Sequence, residues 1–142
     1  MKVKIIDYGY ENLPLRAHYN DAGADVYACP RFKGEEHRIR LWAHSSAKIP
    51  LGFGLEIPDG YMGLVFPRSG LSSKGITCEL PPIDSGYRGE IHAIMTNNTN
   101  TDYWIEKGDR IGQLVIIPVV VADFITDTGE ERGTGAFGST GL

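Results

Sequence analysis

The sequence predicts a single all-β domain, and three observations carry that prediction. No run of ten residues places apolar side chains at helical spacing. In KIPLGFGLEIP, residues 48–58, Ile49, Leu51, Phe53, Leu55 and Ile57 alternate with polar residues or glycines, the period of two of a half-buried strand. Eighteen glycines and eight prolines punctuate short apolar runs, as in a β-sandwich, jelly roll or barrel. A chain of 142 residues buries one substantial core and is too short for two.

The elements follow in order. After the strand pattern of 48–58, Pro58-Asp59-Gly60 turns the chain into a second strand, YMGLVFP, which ends near Phe66. PRSGLSSKG, residues 67–75, then reads as one short helical turn. Ser69 is expected to cap it, with free backbone N–H groups pointing outward as a local anion site. GEIHAIMTN (89–97) and RIGQLVIIPVVVADFI (110–125) read as further strands. From Thr128 the chain is polar, rich in glycine and without core pattern, so a mobile arm is expected there. The expected division is a β domain over 1–127 and an arm over 128–142.

Composition narrows the function classes. Hydrophobic residues at 42% and charged residues at 23% are ordinary for a soluble globular protein. No stretch approaches 18 consecutive apolar residues and MKVKIIDYGY lacks a signal-peptide layout, so a cytoplasmic protein is expected. A formal charge of −4 argues against a nucleic-acid polymer as partner, leaving open a small anion held by a few local arginines. Cys29 and Cys78 are too few for a disulfide framework, and His18, His37, His44 and His92 show no ligand-like spacing for structural zinc.

Five segments are more specific than a strand scaffold requires. NDAGADVYA (20–28) places Asp25 after Ala22-Gly23. PRSGLSSKG carries Arg68, Ser69 and Gly70. PPIDSGYRGEI (81–91) sets Asp84 just beyond an apolar residue, with Tyr87 and Arg88 in the turn that follows. GDRIGQLVIIP (108–118) puts the polar Gln113 inside an apolar strand, a placement equally suited to a paired core amide. RGTGAFGSTGL (132–142) spells G-x-G-x-x-G at Gly133, Gly135 and Gly138, yet without the strand and helix that flank a nucleotide-fold phosphate loop. Asp84-Ser85-Gly86 and Asp127-Thr128-Gly129 both match the D-[ST]-G triplet of aspartic proteases, but they lie too close together for two duplicated lobes.

In order along the chain, AGADVYA, PRSGLSSKG, IDSGYRGEI, RIGQLVIIP and RGTGAFGSTG resemble the five motifs of the trimeric dUTP pyrophosphatase (dUTPase) family, from Ala22 to Gly141. The resemblance implies a jelly-roll homotrimer with shared active sites, hydrolysing dUTP to dUMP and pyrophosphate with Mg²⁺ on the triphosphate. It makes Asp84 the carboxylate that holds the sugar 3′-hydroxyl and orients the attacking water, and Tyr87 the ring beneath the deoxyribose. Arg68, Ser69 and Gly70 become phosphate contacts, Gln113 a polar contact near the triphosphate and its metal, and Asp25 orders water on the metal. In the tail, which the resemblance makes a lid, Arg132 meets the γ-phosphate, Phe137 stacks on uracil, Ser139 and Thr140 make further phosphate contacts, and Gly138 joins them in binding substrate.

Two departures stand out: Pro81-Pro82 occupies the place of a glycine and an aliphatic residue, and Ala136 replaces a tail glycine. Alternatives on the same scaffold are a dUTP-binding regulator without catalysis and an enzyme similar to the dCTP deaminases.

Overall fold

Ten short strands and one helical turn make up the computed structural model, which describes residues 1–31 and 37–127. The strands are β1 (Lys4–Asp7), β2 (Ala24–Tyr27), β3 (Arg38–Leu41), β4 (Ser46–Pro50), β5 (Phe53–Glu56), β6 (Tyr61–Pro67), β7 (Ile76–Cys78), β8 (His92–Asn97), β9 (Tyr103–Glu106) and β10 (Arg110–Pro118). The turn, α1, covers Ser69–Ser72. All pairings are antiparallel: β1 with β5, β3 with β9, β10 between β2 and β6, and β8 between β4 and β7. Strands distant in sequence are thus neighbours in space, as in the expected jelly roll.

One core joins the four sheets. Phe53 and Leu55 come from the first pair, Leu41 and Ile105 from the second, Val26 and Leu114 from the sheet around β10, and Ile49 and Met95 from the sheet around β8. The alternating residues Ile49, Leu51, Phe53, Leu55 and Ile57 are all buried. They do not form one strand, however. Gly52 adopts φ +85°, a conformation that favours glycine, and the chain breaks there into β4 and β5. A Cβ at that position would lie 2.7 Å from Tyr10 Cα.

Two other expectations need correction. Ser69 does not cap α1: Arg68 holds the extended N-cap position without a side-chain cap bond, and Ser69 is the first helical residue. The long apolar run 110–125 is a strand only as far as Pro118. Proline offers no N–H for the ladder. Val119 still donates to Gly60 O (2.9 Å), but Val120, Val121, Phe124 and Ile125 stand exposed, Phe124 at 96%. Among the described residues no helix is long and apolar enough to cross a membrane.

Candidate active site

The centre of the β2–β10–β6 sheet assembles the first group of expected residues. Gln113 pairs with Asp25 on one side and Phe66 on the other. Directly opposed residues of an antiparallel pair present their side chains to the same face. Asp25 and Gln113 accordingly line one cavity of about 300 Å³ with Asp21 and Gly23. A Cβ on Gly23 would sit 2.8 Å from Gln113 Cβ, so the glycine of the first motif leaves room for the glutamine of the fourth. Gln113 is exposed toward this cavity rather than paired in the core.

A register shift between Arg110 and Gly112 turns the start of β10 and re-aims its side chains. Arg110 Nη1 lies 3.5 Å from Asp25 Oδ2, whose side chain is only 15% exposed. Arg68 Nη1 donates to the Arg110 carbonyl (3.1 Å), and Arg68 and Gly70 line an adjacent cavity of about 320 Å³. Ser69 and Gly70 are exposed at the start of α1. The result is a corner of two guanidinium groups beside a partly buried carboxylate, suited to a polyanion.

Asp84 and Tyr87 form a second group. Ile83 bridges to Gly63 through both backbone bonds (3.0 and 2.8 Å), pinning the segment that follows β7 against β6. Tyr87 N–H donates to Asp84 O (3.1 Å), which closes the turn. The Ser85 hydroxyl reaches Asp59 (3.2 Å), and the Arg88 guanidinium donates to Ser85 O. Asp84 is exposed, and with Tyr87, Pro82 and Glu90 it lines a cavity of about 210 Å³. Pro81 and Pro82 offer no backbone N–H to that wall. Lys48, Glu79 and His92 add polar side chains around it.

The cavity holding Asp84 and Tyr87 shares no lining residue with the two holding Asp25, Gln113 and Arg68. Arg132, Phe137, Gly138, Ser139 and Thr140, with Ala136 and the glycines of the tail motif, lie outside the described residues. Among the described residues no three His, Cys, Asp or Glu side chains converge on a metal position. Mg²⁺ keeps several waters and needs only one or two carboxylates from protein. Asp25, partly buried at a cavity wall beside Gln113, is the carboxylate so placed.

Sequence reasoning gave no site role to Arg110, which links Asp25 to Arg68, or to Arg31, Glu90 and Tyr8, which fix the Asp84–Tyr87 turn. No local pattern announces such partners. Arg31 and Glu90 are 59 residues apart, and their pairing exists only once β strands bring them together. Burial pushes the Cys78 thiol up to about 11, and its Sγ points at Ile111 O (3.7 Å), so it stays a neutral core group.

Fold and cavities together define an antiparallel β domain with a cationic corner and a separate carboxylate–tyrosine pocket. Residues 10–141 match the dUTPase family model, and the chain belongs to the dUTPase family. It is 40% identical over 137 residues to a deoxyuridine 5′-triphosphate nucleotidohydrolase of Gloeobacter violaceus, covering 91% of this chain and 88% of that protein. A protein of the same description from Tropheryma whipplei strain Twist is 42% identical over 135 residues, covering 90% and 88%. In structure the chain resembles a dUTPase from phage phi11 of S. aureus with a TM-score of 0.81. That likeness covers 94% of this chain and 100% of the phage protein at 24% identity, and it speaks to the fold alone.

Proposed function

We propose that the protein is a dUTP diphosphatase: water attacks the α-phosphorus of dUTP, giving dUMP and pyrophosphate. The observation that carries this reading is the Asp84–Tyr87 turn, closed by its own backbone and set on a cavity wall within a chain of the dUTPase family. Asp84 takes the proton of the attacking water and holds the 3′-hydroxyl, while the Tyr87 ring packs beneath the deoxyribose and excludes a 2′-hydroxyl. General-base assistance of this kind is worth about 10²–10⁴-fold.

The remaining chemistry is positioning and charge. A nucleoside triphosphate carries roughly four negative charges near neutral pH, and this acidic chain meets them with the Arg68–Arg110 corner. Arg68, Ser69 and Gly70 bind phosphate oxygens, Gln113 contacts the triphosphate, and Asp25 orients metal-bound water. Mg²⁺, when bound, supplies charge neutralisation across the phosphates. Arg132 reaches the γ-phosphate, Phe137 stacks on uracil, and Gly138, Ser139 and Thr140 close the arm 128–142 over the site, distinct in role from the domain 1–127. Ordering nine residues costs on the order of 10 kcal/mol in backbone entropy, which phosphate contacts must offset.

The working unit is a homotrimer. Two features support it: the half-sites lie on different cavities, and an apolar run leaves β10 uncovered. A second copy brings Asp84 against the Arg68 corner. Pyrophosphate release from dUTP, dCTP, dTTP and UTP, each with and without Mg²⁺, tests the reading. Release from dUTP alone, dependent on Mg²⁺, is expected; a protein that leaves dUTP intact overturns it, and ammonia release from dCTP would replace it.

A further inference from the structure

We propose that Arg31 and Glu90 are positioning residues that set the Tyr87 ring, and that this pair governs discrimination between deoxyribose and ribose. The inference rests on the reading of Tyr87 as the ring beneath the sugar. Arg31 Nη2 donates to both Glu90 carboxylate oxygens, at 2.6 and 2.7 Å. Glu90 Oε2 also accepts the Gly52 N–H (2.8 Å), at the glycine that breaks β4 from β5. The other arm of the guanidinium is tied down as well, donating to Cys29 O (3.0 Å). The Glu90 side chain is 15% exposed, and a carboxylate that withdrawn needs its cation.

From Glu90 the path to the ring is short. The Tyr87 hydroxyl donates to Glu90 O (2.9 Å). The hydroxyl end of the ring packs against the next residue back: a Cβ on Gly89 would lie 2.5 Å from the Tyr87 oxygen. The ring therefore takes its direction from backbone 89–90, and that backbone takes its place from the carboxylate. Tyr8 anchors the neighbouring peptide by donating to Arg88 O (2.8 Å). Gly54 lets the same stretch approach, since a Cβ there would meet Gly89 O at 2.8 Å. A ring that must exclude one hydroxyl tolerates little movement, because a misplacement of about 1 Å can cost 10²-fold in rate.

The test compares dUTP and UTP hydrolysis by the full-length protein, wild type and variants, with thermal denaturation alongside. Glu90→Gln and Arg31→Met are expected to lower kcat/KM for dUTP by about 10–100-fold and to narrow the dUTP/UTP ratio by about tenfold or more. Arg31→Lys, which keeps the charge, is expected to recover part of the ratio. Tyr87→Phe removes the hydroxyl link without disturbing the ion pair and is expected to narrow the ratio in the same direction. A dUTP/UTP ratio unchanged in the folded variants, whatever their melting temperatures, overturns the proposal. Should the ion-pair variants not fold, an unchanged ratio in Tyr87→Phe overturns it equally. A wild type inactive on dUTP removes the functional reading and this inference together; an active wild type with insensitive variants removes only the inference.

Discussion

Residues 84–90 and residues 119–125 both lie outside regular strands, yet the domain treats them in opposite ways. The first stretch is polar and held on every side: Ile83 bridges to Gly63, Glu90 is clamped by Arg31 and Gly52, and Tyr8 grips Arg88 O. The second is apolar and exposed, with Val120 at 88% and Phe124 at 96%. On the proposed function the first stretch needs its geometry fixed before substrate arrives, and its backbone is held by bonds within the chain. An apolar run this exposed among the described residues is the surface the proposed trimer would use. On the proposed trimer, the contrast separates what one copy completes alone from what awaits a second.

The most severe way to break the first region is Asp84→Asn, which leaves the fold intact and lowers pyrophosphate release from dUTP by about 10²–10⁴-fold. A pure binding protein would keep its nucleotide affinity and show no catalytic loss. For the second region, Val121→Asp with Phe124→Asp places charges on the run that the proposed trimer would bury. Sedimentation is expected to show dissociated subunits, with activity lost although the single-chain fold persists. A trimer that survives both charges would mean that the run is not an interface.

Smaller effects sharpen the same comparison. Gly23→Ala pushes its new methyl into Gln113, so a stability loss of about 1–3 kcal/mol is expected, with a higher Mg²⁺ requirement. Denaturant titration and a metal titration check the two halves of that statement. The smallest effect comes from a second ion pair, Arg40 with Asp102, out on the surface against the rings of Trp42 and Trp104. The Ala43 N–H, and then Arg40, hold the Asp102 carboxyl below the usual carboxylate range. A carboxylate lowered by folding contributes stability above its unfolded pKa and loses it as pH falls through the folded value. Asp102→Asn is thus expected to cost stability at neutral pH, and less below the ordinary Asp pKa of about 3.9, without altering dUTP/UTP selectivity. Thermal melts across that range, set beside those of Glu90→Gln, distinguish a surface pair from one that holds the site.

The motifs around Asp25, Arg68 and Asp84 stood out as contiguous clusters of turn residues and polar groups beside strands, whereas Gln113, inside an apolar strand, stood out only through the five-motif resemblance. Register then explained why two of them belong together: Asp25 and Gln113 are cross-strand partners. The Ser69 cap was misread because local propensity favours serine at an N-cap, whereas the backbone gave that place to Arg68. The strand reading of 110–125 failed beyond Pro118 because apolar character alone cannot tell a paired strand from an exposed run.

By itself the sequence determined the all-β class, the core alternation from Ile49 to Ile57 and the identity of the chemical groups, since these depend on residue type and short-range spacing. Only the tertiary structure decided which groups face one another: Arg110 between Asp25 and Arg68, Arg31 against Glu90, and Asp84 apart from the cationic corner. The reason is that antiparallel pairing joins strands from opposite ends of the chain. Contacts across such a sheet are set by register and chain crossing, which no local pattern of residues records.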